Sequence, residues 1–195
     1  MSHKKPNNPR PFGELLGYAP GQVPVYSSNY DSLKPEDMPS REEFRHYQDG
    51  IYMGYKWQCV ELARRWLYIN RGYVFEDIPM AYDIFDIKSF LTRDGSKIPA
   101  YAFRNGSRRK PELGALLIWS PTGEFERTGH VAVITEVLEN SVRVVEQNVE
   151  HQGWGGLEWA RTLPLGVNSR GGFTIECTYG DTHILGWVIQ TADKT

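Results

Sequence analysis

At 195 residues, 40% of them hydrophobic, the chain is long enough to bury the core of one domain and short for two. Its 22 Lys and Arg against 24 Asp and Glu leave a formal charge of −2, which gives no footing for a nucleic-acid surface. No apolar run approaches the roughly 20 residues that cross a bilayer, and the polar, proline-containing start has no signal-peptide core, so a soluble, cytoplasmic protein without membrane contact is expected.

Residues 1–10 are polar and aperiodic and read as a disordered tail, leaving 11–195 as one domain. Residues 12–28 are dense in Gly, Pro and aromatics, the composition of an irregular segment wrapped around a domain. Residues 31–50 are charged and turn-rich, and Ser40 followed by Glu42 and Glu43 reads as a helix start. From Gln58 to Asn70, Val60, Ala63 and Leu67 recur at helical spacing, flanked by Leu62, Trp66 and Ile69, and Arg71-Gly72 supplies the stop. A weaker stripe of Tyr82, Phe85, Ile87 and Leu91 predicts a second helix over 81–91. Residues 104–111 form a basic loop. Beyond Pro111 the pattern turns to β, with strands near 115–119, 130–137, 142–149, 173–178 and 184–190. The sum is an α+β arrangement: N-terminal helices packed on an antiparallel sheet.

Cys59 falls at the first turn of the best-defined helix. Unpaired backbone N–H groups there stabilise a thiolate and lower the pKa. A cysteine of ordinary pKa is only ~3% thiolate at neutral pH, whereas one shifted down two units is roughly three-quarters ionised. Downstream, Glu139-Asn140-Ser141 reads as the turn of a hairpin whose first strand opens at His130 and whose second carries Glu146 and Asn148. His130 then falls about opposite Asn148, and strand alternation turns Glu146 and Asn148 to one face. A cysteine nucleophile needs a base, and the base needs an acceptor that fixes its tautomer. Cys59, His130 and Glu146 fill those roles in that order. Cys177, in an apolar stretch without a helix start or a histidine neighbour, reads as a packing residue, and two cysteines make no disulfide framework. The five histidines form no ligand-spaced cluster and Cys59 has no CxxC partner, so neither metal nor cofactor is expected.

Cysteine, then histidine at a strand start, then an acidic residue on the next strand resembles the papain-like cysteine hydrolases of the CHAP branch. Trp57-Gln58-Cys59, Thr128-Gly129-His130-Val131-Ala132 and Glu146-Gln147-Asn148 carry the likeness. Pro11-Phe12-Gly13, residues 16–21, Tyr26-Ser27-Ser28, Trp57-Gln58-Cys59-Val60-Glu61, residues 114–119 and Ile184-Leu185-Gly186-Trp187 resemble, within that branch, the amidase domain of the glutathionylspermidine synthetase/amidase family. The resemblance covers nearly the whole chain, residues 11–191. It implies that Cys59 attacks the amide joining the glycine of glutathione to spermidine and forms a thioester. His130 would shuttle the proton, with Glu146 orienting it and Asn148 adding a polar contact. Gln58 would help the Cys59 N–H bind the oxyanion, and Arg64 would contact the glutathionyl group. The implied partners are glutathionylspermidine itself and an ATP-dependent synthetase domain, attached or separate. A peptidoglycan-cleaving activity is the alternative that the wider branch offers.

Overall fold

The computed structural model describes residues 9–191. The expected tail lies outside the described residues as far as residue 8. Arg10 already belongs to the fold: its N–H donates to the His151 carbonyl at 2.7 Å, and its own carbonyl accepts from Ser27 Oγ.

Two small hairpins precede the only α-helix among the described residues. Strands β1 (Leu15–Ala19) and β2 (Val23–Tyr26) form the first; β3 (Arg45–Gln48) and β4 (Ile51–Tyr55) form the second. The glycine- and proline-rich stretch expected to be irregular is therefore paired. Alternation explains it, since Leu16, Val23 and Val25 point into the core between exposed or half-buried neighbours. The helix start at Ser40 is real but aborted. Ser40 N donates to Glu43 Oε2 at 2.8 Å and Glu43 N to Ser40 Oγ, a complete capping box, yet after one turn the chain straightens into β3. Helix α1 (Cys59–Arg71) matches the predicted one. Gly72 closes it with a φ of 75°, a left-handed cap whose N–H donates to the Tyr68 carbonyl.

The main sheet is antiparallel with nine strands: β5 (Tyr73–Phe75), β6 (Ser89–Thr92), β7 (Lys97–Arg104), β8 (Leu116–Trp119), β9 (His130–Val137), β10 (Ser141–Val145), β11 (Arg161–Val167), β12 (Phe173–Ile175) and β13 (Ile184–Gln190). Their order across the sheet is β12-β11-β10-β9-β8-β13-β7-β6-β5. Every residue of β8 is buried because both faces are covered. Leu116 and Ile118 join Leu62, Trp66 and Leu67 of α1 in one core; Leu117 and Trp119 join Ala132, Ile134, Val144 and Trp187 in another. Each large apolar side chain so buried contributes about 1.5–3 kcal/mol.

The plural "N-terminal helices" thus reduces to one helix and short 3₁₀ turns. The second helix expected over 81–91 is a 3₁₀ segment, Ala81–Asp86, followed by β6. Its buried Ala81 and Ile84, with Ile87 just past its end, recur every third position, the period of a 3₁₀ turn rather than that of an α-helix. Strands β5, β7 and β11 of this sheet were not anticipated either. In β11 the buried Leu163 and Leu165 alternate with Thr162, Pro164 and Gly166, but the proline and glycine mask the pattern.

Candidate active site

Cys59 opens α1. Gln58, in extended conformation, precedes it, and the first intrahelical bond runs from Leu62 N to the Gln58 carbonyl. The N–H groups of the first turn therefore have no helical partner and present partial positive charge at the thiol. The helix is fixed by its buried Leu62, Trp66 and Leu67, so the sulfur sits rigidly in the wall of a cleft of about 1240 Å³.

His130 is the first residue of β9. Gly129 delivers it: at a φ of 62°, with a Cβ there falling only 2.7 Å from the Trp119 carbonyl, no other residue fits the turn. Along β9, Val131 and Val133 face the α1 core, while His130 shares its side with Ala132 and Ile134. On the neighbouring strand Val142 and Val144 face that same side, and parity carries Glu146, one residue past the end of β10, to it as well. Glu146 Oε2 lies 3.0 Å from His130 Nε2, and both groups are buried. A carboxylate can only accept, so Nε2 carries the proton and Nδ1 is left for the thiol, with which the ring hydrogen-bonds. Phe125 stacks on the imidazole at 4.5 Å between centroids, and Trp119 lies 5.2 Å away. Ring position and tautomer are thus both fixed before any substrate arrives.

Burial alone would push the Cys59 thiol up. The charge and hydrogen bond of His130, with the backbone N–H groups of Val131 and Val60, outweigh it and hold the thiol below its ordinary value. Burial likewise disfavours a charged His130, but Cys59 and Glu146 raise it to about 9. Glu146, despite burial, is held down at about 2 by His130 and Arg161. All three shifts run the same way, favouring charge separation between the thiol and the imidazole with the carboxylate behind the ring.

Two contributors were invisible in the sequence. Arg161 Nε donates to Glu146 Oε1 at 2.9 Å, and the Tyr179 hydroxyl donates to the same oxygen at 3.0 Å. They lie 15 and 33 residues further on, in stretches with no motif. Burial and the Glu146 charge raise Tyr179 well above the ordinary phenol value, so it stays a donor.

Of the remaining expected residues, Asn148 does not meet His130. The strand ends at Val145, and Asn148 takes a φ of 67°, which breaks the alternation and swings its carboxamide to Gln58. Gln58 lines the cleft beside Cys59. Arg64 is elsewhere: it is buried under the helix, with Nη1 on the Phe75 carbonyl and Nη2 on the Tyr52 carbonyl, and it does not line the cleft. Cys177 packs in the second core, its sulfur accepting from Trp119 Nε1 at 3.3 Å. Among the described residues no group of His, Cys, Asp and Glu is arranged to hold a metal ion.

Residues 50–148 match the CHAP domain, and the chain belongs to the CHAP family. It is 50% identical over 196 residues to the bifunctional glutathionylspermidine synthetase/amidase of Escherichia coli K12, an alignment covering 99% of this chain and 31% of that protein. It is 37% identical over 155 residues to trypanothione synthetase of Crithidia fasciculata, covering 79% of this chain and 22% of that one. With glutathionylspermidine synthase of the same organism it shares 31% over 198 residues, covering 93% and 27%. The chain therefore spans under a third of the length of these curated relatives.

Proposed function

We propose that this CHAP-family chain is a thiol amidohydrolase that cleaves the glycyl–spermidine amide of glutathionylspermidine to glutathione and spermidine. The observation that carries the reading is the buried Cys59–His130–Glu146 line opening onto a large cleft. The Cys59 thiolate attacks the glycine carbonyl carbon, and the electron pair moves to the oxygen. As the C–N bond breaks, the imidazolium of His130 delivers its proton to the departing spermidine nitrogen, leaving a thioester on Cys59. Neutral His130 then takes a proton from water, whose oxygen attacks the thioester and releases glutathione and the thiolate. Glu146 keeps the proton on Nε2 throughout and stabilises the charged ring.

The cleft offers both signs of charge. Arg41 and Arg45 line it together with Asp77, Glu124 and Glu150, which suits a conjugate with a carboxylate on its peptide arm and ammonium groups on its polyamine arm. Its relatives, a glutathionylspermidine synthetase/amidase and a glutathionylspermidine synthase, support the same substrate. Incubating the protein with glutathionylspermidine and, separately, with a peptidoglycan stem peptide, and weighing the products by mass spectrometry, tests it. Free glutathione and spermidine from the first and an intact second substrate are expected. Cleavage of the stem peptide alone would replace this reading with that of a wall hydrolase.

A further inference from the structure

Beside the catalytic line the cleft carries a second string of polar groups that the chemistry above does not use. Ser28 Oγ donates to Asn148 Oδ1 at 2.6 Å, Asn148 Nδ2 donates to Gln58 Oε1 at 2.8 Å, Gln58 Nε2 donates to the Tyr30 hydroxyl at 2.7 Å, and that hydroxyl donates to the Lys56 carbonyl at 2.6 Å. The direction of the whole string is set at its last member. A carbonyl can only accept, so Tyr30 gives its one proton to Lys56 and must accept from Gln58. That turns the NH2 of Gln58 toward Tyr30 and its oxygen toward Asn148. Asn148 then faces Gln58 with its own NH2 and Ser28 with its oxygen. Flipping the Gln58 amide would set two oxygens together at Tyr30 and two NH2 groups together at Asn148. Burial raises the Tyr30 phenol above its ordinary value, so the proton that starts the sequence is not lost near neutrality.

Gln58 spends one N–H on Tyr30 and has a second. It lines the cleft immediately before Cys59, whose backbone N–H opens the helix. We propose that the Ser28–Asn148–Gln58–Tyr30 string is a positioning device that holds the second N–H of Gln58, with the Cys59 N–H, as a two-donor site for the tetrahedral oxyanion. Tyr30, Asn148 and Ser28 act through Gln58 and are positioning residues. The string joins three segments distant in sequence, one after β2, one at the start of α1 and one after β10, and the left-handed backbone of Asn148 serves it. Asparagine is among the few residues that adopt that conformation readily. The inference rests on the cysteine amidohydrolase reading, though not on the identity of the amide.

Two reactions of Cys59 separate the oxyanion site from the nucleophile. Acylation by p-nitrophenyl acetate passes through a tetrahedral oxyanion; alkylation by iodoacetamide displaces iodide and forms none. Tyr30→Phe should slow the acylation burst about 10- to 100-fold, somewhat less than outright loss of a donor. Ser28→Ala should slow it several-fold. The alkylation rate and its pH midpoint should match wild type in both. Asn148→Asp, which keeps the shape but sets an acceptor against Gln58 Oε1, must also slow the burst, and it tests the string should Tyr30→Phe fail to fold. A parallel fall of burst and alkylation would make the string a support for Cys59 or His130 instead, and an unchanged burst in all folded variants would remove its role; either result overturns the proposal. A wild-type protein with a normal burst but no turnover of glutathionylspermidine would overturn the substrate alone.

Discussion

Two buried carboxylates, Glu61 and Glu146, have nearly the same companions and different work. Glu61 lies 2.7 Å from His46 Nδ1, 2.5 Å from Arg65 Nε and 2.9 Å from Gln147 Nε2. Glu146 lies 3.0 Å from His130 and 2.9 Å from Arg161, with Tyr179 in place of the amide. Both are held below the ordinary carboxylate range against the cost of burial, Glu61 by Arg65 and His46, Glu146 by His130 and Arg161. What separates them is the group beyond the histidine. The ring of His130 meets the Cys59 thiol, whereas His46 packs 5.2 Å from the ring of Trp57. Glu61 instead braces: Gln147 Nε2, which it accepts from, also donates to the Gln58 carbonyl, tying the start of α1 to the chain leaving β10. A Glu–His–Arg set is thus not a catalytic signature until a nucleophile stands at its open end.

The largest expected effect falls on the line that reaches the thiol. Cys59→Ala should abolish turnover with an unchanged circular dichroism spectrum, whereas Cys177→Ala should keep most of it; equal loss in two folded variants would break the assignment of one nucleophile.

Glu146→Gln sharpens the contrast, and the geometry makes it more severe than a simple weakening. Arg161 and Tyr179 are donors and both address Oε1, so they claim the carbonyl of a new carboxamide and turn its NH2 to His130. The ring must then accept at Nε2 and protonate at Nδ1, the nitrogen that Cys59 needs as a base. A loss in kcat of about 10³- to 10⁴-fold is expected, the scale of a wrong-tautomer defect. Steady-state kinetics with fold checked by thermal melt would read it, and a loss under tenfold would show that the carboxamide can settle the other way.

Glu61→Gln should do the reverse. Leaving Arg65 buried against a neutral partner costs about 3–5 kcal/mol of stability, while the protein still folded at low temperature keeps the wild-type pH profile. Denaturant unfolding measures the first and kinetics the second. A shifted pH profile would mean that the brace also tunes the thiol.

The pH profile carries the smallest effect. With Cys59 lowered and His130 raised to about 9, kcat/KM should form a broad bell. As pH falls through the Cys59 value the thiolate is protonated and activity drops; as pH rises through about 9 the imidazolium that protonates the leaving amine is lost. A lower limb at the value of an unperturbed thiol would contradict the ion pair.

Several features were legible in order along the chain because they rest on local physics. The 3.6-residue stripe of α1, its glycine stop and the thiol at its first turn needed no partner to be read, and the β-branched apolar runs located β9 and β13 to the residue. Parity on a strand placed Glu146 with His130. Parity failed two residues later, since a left-handed turn at Asn148 ends the strand, and nothing in a valine-rich run announces that turn. The same limit hid the real period of 81–87, where Tyr82 and Phe85 suggested one face and packing buried another.

The amino-acid sequence by itself determined where Cys59, His130 and Glu146 fall and the helix that starts at the thiol, because each is fixed within one element or one hairpin. Only the tertiary structure decided what surrounds them. It recruited Arg161 and Tyr179 to one oxygen of Glu146, seated Arg64 on the carbonyls of Phe75 and Tyr52, and linked Gln58 to Tyr30 and, through Asn148, to Ser28. Those contacts span up to 120 residues, and the buried donors and acceptors that make them take whichever partners the packed core leaves within reach.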